Sequence, residues 1–319
     1  MKQLLVILAA VLTQTVLYRF STRMVDNQKA REAPDHVQVV LVEIVRPVIN
    51  QVIMKNFKEK NVLISGGSSG IGLALAQDLA KLGANITLLA RDKKRLSDAL
   101  LSIKPLTIAD GQLISAISCD VTDYNDLSNK LNSLSFDILI NSAGIAYPGE
   151  FLDLDQEIFA RVINTNYLGT VNLTKIVVPD MVTRRSGQVV NISSLAAVIG
   201  IYGYTAYAPS KYALHGFSRA LRSELKPYGI DVSIVFPPDT DTPQLAYEKK
   251  LLPEITRMIN ENGGVLTAHQ VSRSIINGMK RSRFTIIPGI EGKILYVLAP
   301  IFDWYFYHFA VRNKQKNIS

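Results

Sequence analysis

The sequence predicts an α/β fold with a doubly wound, seven-stranded and mostly parallel sheet. Three observations predict it. Apolar runs rich in Val and Ile lie at 61–65, 85–90, 114–119, 137–141, 188–193 and 230–236, with a weaker seventh at 284–287. Helical patterns separate the runs, and a glycine cluster follows the first of them directly. Continuous apolar runs of this length suit strands covered on both faces, as a parallel sheet requires. Strand and helix in alternation then place ligands at the carboxyl ends of the strands.

Taken in order, the chain of 319 residues opens on a nearly all-apolar stretch, 4–18, flanked by Lys2 and by Arg19, Arg23, Lys29 and Arg31. Val16, Leu17 and Tyr18 are too bulky for a cleavage site, so residues 1–20 read as an uncleaved membrane anchor. The denser basic residues after it keep the remainder on the cytosolic side by the positive-inside rule. Residues 21–57 read as a linker and amphipathic segment, with a stripe of Val37, Leu41, Ile44, Val48 and Val52 broken at Pro47. That stripe either lies on a membrane or packs on the main domain. Residues 58–290 form the main domain, and 291–319 an aromatic-rich amphipathic segment.

After the first strand comes Ser65-Gly66-Gly67-Ser68-Ser69-Gly70-Ile71-Gly72, which leads into a helical stretch. Glycine serves where a turn is tight and where backbone must approach a pyrophosphate, and the helix start offers free N–H groups to negative charge. Strand before and helix after make this a dinucleotide site. The second strand ends at Arg91, whose planar fork suits a phosphate, with Lys94 or Arg95 adding charge. Asp120-Val121 follow the third strand, and Asn141-Ser142-Ala143-Gly144 close the fourth. The net charge of +8 suits an anionic membrane or a phosphate-bearing cofactor. Nucleic acid is excluded as a partner, because zinc-finger spacing, aromatic RNA-binding motifs and long basic blocks are all missing.

The chemistry centres on Tyr207-Ala208-Pro209-Ser210-Lys211, where i and i+4 share a helix face and set an ammonium beside a phenol. A free phenol has a pKa of about 10, so a nearby cation makes it serviceable near neutrality. Pro209 is tolerated inside a first helical turn.

Together these features resemble the short-chain dehydrogenase/reductase family. The glycine motif has Ser65 where the family begins with Thr, the 141–144 run matches its NNAG element with Ser142 in place of the second Asn, and Ser194 precedes Tyr207 by the family's spacing. The resemblance implies a Rossmann fold and NADPH as cofactor. Ser194 would hydrogen-bond a substrate carbonyl, Tyr207 would donate the proton, and Lys211 would lower the tyrosine pKa and hold the nicotinamide ribose. Asn166 would hold a relay water near the lysine. Asp120 and Val121 would contact adenine, and Asn141, Ala143, Gly144, Pro237 and Thr240 would complete the cofactor site with Tyr207 and Lys211.

After the sixth strand the family usually reads Pro-Gly, whereas this chain reads Pro237-Pro238, and the second Pro removes an N–H. The run 236–243 resembles a branch of the family that reduces 3-ketodihydrosphingosine to dihydrosphingosine at the cytosolic face of the endoplasmic reticulum; in a bacterium the corresponding site is the inner membrane. A reductase of another lipophilic ketone, such as a steroid, retinoid or acyl ketone, is the alternative, and a non-catalytic NADPH-binding membrane scaffold is a second. Residues 244–264 read as the substrate lid.

The remaining features are structural. His36, His215, His269 and His308 fall in no metal or triad pattern, Thr267 to Gln270 has the spacing of a capping box, and Cys119 reads as a buried, inert thiol. Residues 294–311 carry Trp304, Tyr305, Phe306, Tyr307 and Phe309, but Asp303 makes a membrane span unfavourable. An interfacial helix fits better, with Arg312, Lys314 and Lys316 meeting anionic lipid. Packing on the domain, or a homo-oligomer interface, is the alternative.

Overall fold

The runs that read as strands form one sheet in the computed structural model, which describes residues 56–260 and 263–318. The anchor at 1–20 and the stripe at 37–52 lie outside the described residues. In chain order the strands are β1 (Asn61–Ser65), β2 (Asn85–Ala90), β3 (Ile114–Ser118), β4 (Ile138–Asn141), β5 (Gly187–Ile192) and β6 (Ile230–Val235). Two short strands, β7 (Thr240–Asp241) and β8 (Leu266–Thr267), pair with each other, and β9 (Thr285–Ile286) completes the main sheet. The order is β3-β2-β1-β4-β5-β6-β9 and every pairing is parallel.

Alternation along each strand feeds two cores, one on each face. Val62 and Ile64 of β1 pack with Leu75 and Leu79 of α1 (Gly70–Ala80) and with Leu96 of α2 (Lys93–Ile103). Leu63 points the other way. It joins Leu127 of α3 (Tyr124–Leu131), which precedes α4 (Gln156–Ile163), and Leu173 and Met181 of α5 (Gly169–Arg184). Cys119 belongs to this second core, and burial, followed by its hydrogen bond to Asp126, pushes the thiol up to about 12. The thiol is buried, as expected.

The direction of strand order reverses between β1 and β4, so the loops that follow these two strands flank a crevice at their carboxyl ends. The first turn of α6 (Tyr207–Leu225) lines it, as do α7 (Pro243–Glu248) and α8 (Glu254–Asn260) in the segment read as a lid. The β7–β8 pair anchors both ends of that lid. It had no signature in the sequence, because two-residue strands have no period. The capping box at Thr267 is present and starts α9 (Ala268–Lys280).

The C-terminal segment packs on the domain. α10 (Ile290–Val297) and α11 (Ala299–Ile318) meet at a bend of 88°. Leu295 and Tyr296 join the cluster of Leu195 and Phe236, and Asp303 Oδ1 accepts the Gly200 N–H at 2.7 Å. Among the described residues no single helix is long and apolar enough to cross a membrane; α10 and α11 reach that length and composition only together.

Candidate active site

The cofactor side of the crevice begins at Gly66, whose φ of +67° suits glycine and whose place a Cβ would crowd, 2.8 Å from the Ser142 and Ala143 backbone. Ser65 explains its hydroxyl here: Oγ accepts the N–H groups of Ser142 and Ala143 at 3.1 and 3.2 Å, tying the β1 and β4 loops together. α1 starts at Gly70, and among the described residues the Ser69 side chain makes no capping hydrogen bond. The first N–H groups of α1 are thus left for an anion.

Gly66, Ser68, Ser69, Gly70 and Ile71 line a cavity of about 810 Å³ with Arg91, Arg95, Asp120, Val121, Ala143, Gly144, Ser194, Tyr207, Lys211, Pro237 and Thr240. A glycine loop, an uncapped helix start and a guanidinium on one wall fit the phosphates of a dinucleotide. Arg91 Nη1 lies 3.5 Å from Asp120 Oδ2. Burial alone would raise the Asp120 pKa, but hydrogen bonds from Thr122 and the charge of Arg91 outweigh it and hold the carboxyl low.

Three residues read from the sequence as site members stand behind the wall instead. Gly72 packs against the Gly66 carbonyl, where a Cβ would collide. The Asn141 amide is buried and donates to Asn191 Oδ1 at 2.9 Å, bracing β4 against β5. Asn166 sits on a π-helical turn, Asn164–Leu168, between α4 and α5. Its amide accepts from Ile145 N–H at 2.8 Å and donates to Ile145 O and Ser210 Oγ, both at 2.9 Å. The Asn166 amide is committed to backbone and core partners on both its atoms, whereas Asn141 uses only its amide nitrogen and its Oδ1 is buried without a partner among the described residues. A Cβ at Gly144 would lie 3.2 Å from Asn166 Oδ1 and 3.4 Å from Lys211 Nζ, so both groups converge on a space that glycine keeps open.

The catalytic side is built by β5 and α6. Because α6 begins at Tyr207, Pro209 falls in its first turn and breaks nothing. Lys211 Nζ lies 5.6 Å from the Tyr207 ring centre and donates to Ile192 O, at the end of β5, at 3.0 Å. Ser194, two residues past β5, accepts the Ala196 N–H at 3.2 Å and lines the same cavity as Tyr207. The electrostatics differ from the expectation that Lys211 lowers the phenol pKa. Burial, then the charge of Glu248, pushes Tyr207 above the ordinary phenol value, and Ser194 only moderates this. Burial also brings Lys211 down to about 8, with Glu248 opposing.

Glu248 had no assigned role in the sequence reading. It is 7% exposed, accepts from Tyr204 OH at 3.0 Å and from Gln244 Nε2 at 2.8 Å, and lines the cavity. Gln244 lines the cavity beside it and acts to lower the Tyr207 phenol pKa. Asp239 stands nearby, its pKa raised by burial. The one available signal was the i, i+4 pair Gln244 and Glu248 within the lid. Thr242 was also missed; it caps α7 and lies against Gly70 of the glycine loop. The Pro237-Pro238 departure closes on itself, since Thr240 Oγ1 donates to Pro238 O at 2.8 Å.

Comparison with known proteins agrees with this geometry. Residues 60–251 match the short chain dehydrogenase family. A 3-dehydrosphinganine reductase of Danio rerio is 38% identical over 82% of this chain and 80% of its own. A 3-ketodihydrosphingosine reductase of Bos taurus is 38% identical over 81% and 79%. Among solved structures, a short-chain dehydrogenase from Sphingobium yanoikuyae in complex with NADPH superposes with a TM-score of 0.66 at 27% identity, over 81% of this chain and 94% of its own. With its parallel sheet, glycine loop and Ser194, Tyr207 and Lys211 in one cavity, the chain belongs to the short-chain dehydrogenase family.

Proposed function

We propose that the protein reduces the ketone of 3-ketodihydrosphingosine to the alcohol with NADPH. The observation that carries this reading is that Ser194, Tyr207 and Lys211 line one cavity with the glycine loop and Arg91. NADPH, when bound, supplies the hydride. Ser194 holds the carbonyl oxygen, and the Tyr207 hydroxyl donates a proton to it as negative charge develops there. Burial favours the protonated phenol, so the donor stays loaded at neutral pH. Lys211, held by the Ile192 carbonyl, offsets the phenolate that remains and reaches toward the ribose side at Gly144. Arg91 would hold the additional phosphate of NADPH, displacing its loose contact with Asp120.

The lipid character of the substrate is supported by the names of the relatives and by apolar cavity residues such as Ile199, Ile201, Leu245, Leu295 and Phe306. Ile294, Val297, Ile301, Trp304, Tyr305 and Tyr307 are exposed on α10 and α11, whose Leu295 and Phe306 reach the cavity. An apolar surface continuous with the site suits docking on a lipid surface from which substrate is drawn, and Trp and Tyr favour the headgroup level. The test is NADPH oxidation by purified protein against 3-ketodihydrosphingosine, a steroid ketone, a retinoid and an acyl ketone. The sphingoid ketone is expected to have the highest kcat/KM; a clear preference for any other overturns the reading.

A further inference from the structure

We propose that Glu248 is the anionic subsite that binds an ammonium group on the carbon next to the substrate ketone, so that the enzyme selects amino ketones over plain ones. The inference rests on the reading above, which makes the substrate a sphingoid ketone and hence an amine as well as a lipid. Three observations carry it. Glu248 is more than nine-tenths buried on the wall of the catalytic cavity, and among the described residues no Lys or Arg nitrogen forms an ion pair with it. Its hydrogen-bond donors are neutral, and burial raises its pKa although the Lys211 charge opposes this, so the carboxylate carries a desolvation penalty that an arriving cation relieves. Its donors also fix its aim, with Tyr204 on one oxygen and Gln244 on the other.

The third observation is distance from the chemistry. Tyr204, whose hydroxyl donates to Glu248 Oε2 at 3.0 Å, has its ring centre 5.7 Å from that of Tyr207, so one phenol lies between the two. Tyr207 and Glu248 line the same cavity, and the Glu248 charge acts on the Tyr207 phenol, which sets the carboxylate beside a ketone held there. Reduction of a plain ketone needs Ser194, Tyr207 and Lys211 but has no use for a carboxylate at this place. Asp239, on the same cavity, adds negative potential without touching the pair.

The experiment measures NADPH-dependent kcat/KM for three ketones of one chain length: the amino ketone, its neutral N-acetyl derivative, and the ketone lacking nitrogen. Wild-type protein is expected to favour the amino ketone by about tenfold to a hundredfold, the range of one charge-assisted hydrogen bond. Glu248→Gln should reduce that ratio toward unity, and Glu248→Asp should recover part of it. If wild-type protein reduces all three equally well, the subsite is wrong while the ketone reductase reading stands, and that measurement needs no variant to fold. If Glu248→Gln lowers kcat on all three alike, the carboxylate serves the Tyr207 proton and the proposal also falls. Failure to reduce any of the three would overturn the functional reading itself.

Discussion

At the floor of the cavity, Ser194, Tyr207 and Lys211 stand on the end of a strand and the first turn of a 19-residue helix, with Tyr207 and Lys211 buried and Lys211 held by backbone. At the rim, Ile290, Trp304 and Tyr307 are 76%, 63% and 63% exposed on two helices bent against each other. The floor places atoms, because burial and a backbone hydrogen bond restrict how these side chains can turn. The rim offers area, because a lipid is recognised by apolar contact and not by fixed points. Between them lies the lid, whose short helices carry Gln244 and Glu248 down to the floor.

The sharpest way to break this contrast is Tyr207→Phe. It is expected to lower kcat by about 10²–10⁴-fold, the usual contribution of a general acid, for every ketone tested. NADPH affinity, measured by fluorescence titration, should change little, since one hydroxyl is lost. A variant that kept most of its kcat would move the chemistry away from the floor.

A second test uses pH. Lys211 is charged below its pKa of about 8 and neutral above it. If its ammonium is needed at the floor, kcat/KM for reduction falls as pH rises through that value, by about tenfold per unit at the far end. Lys211→Arg, which stays charged, should push this limb to higher pH even if its maximum rate is lower. A profile flat to pH 10 would show that the charge of Lys211 is not used.

Arg91 sharpens the comparison from the cofactor end. Its side chain is 66% exposed, so the phosphate contact is partly screened and Arg91→Ala should weaken NADPH by about tenfold, the low end for a charge-assisted bond. NADH affinity should be almost unchanged. Equal losses for both nucleotides would remove Arg91 from the phosphate.

The smallest effects are expected at the rim. Trp304→Ala and Tyr307→Ala should each reduce binding to anionic phospholipid vesicles by about fivefold, the value of roughly 1 kcal/mol of partial apolar burial. Turnover of a water-soluble short-chain ketone serves as the reference. A kcat loss on that ketone as large as that of Tyr207→Phe would erase the distinction between rim and floor.

Much of the floor was legible because its signals are local. The runs at 61–65 and 188–193 announce buried strands by composition, and Tyr207 and Lys211 announce a shared helix face by spacing. Ser65, Gly66 and Gly70 mark the turn by residue type, and the resemblance of the set assigned roles. What spacing did not show was which of these residues face the cavity. Asn141 and Asn166 match the family's pattern, yet neither lines the cavity, and the Asn166 amide is taken up by Ile145 and Ser210.

The sequence by itself determined the strand and helix alternation, the dinucleotide loop and the shared helix face of Tyr207 and Lys211, since each is encoded within a few neighbouring residues. Only the tertiary structure decided the electrostatics and the rim. Glu248 meets Tyr204 across 44 positions of chain, and Asp303 meets Gly200 across 103. The same aspartate that made a membrane span unfavourable in the sequence is a strap that holds α11 to the domain. The physical reason is that a pKa, a cavity wall or an exposed face depends on what distant segments bring within a few ångströms, and periodicity along the chain carries no record of that distance.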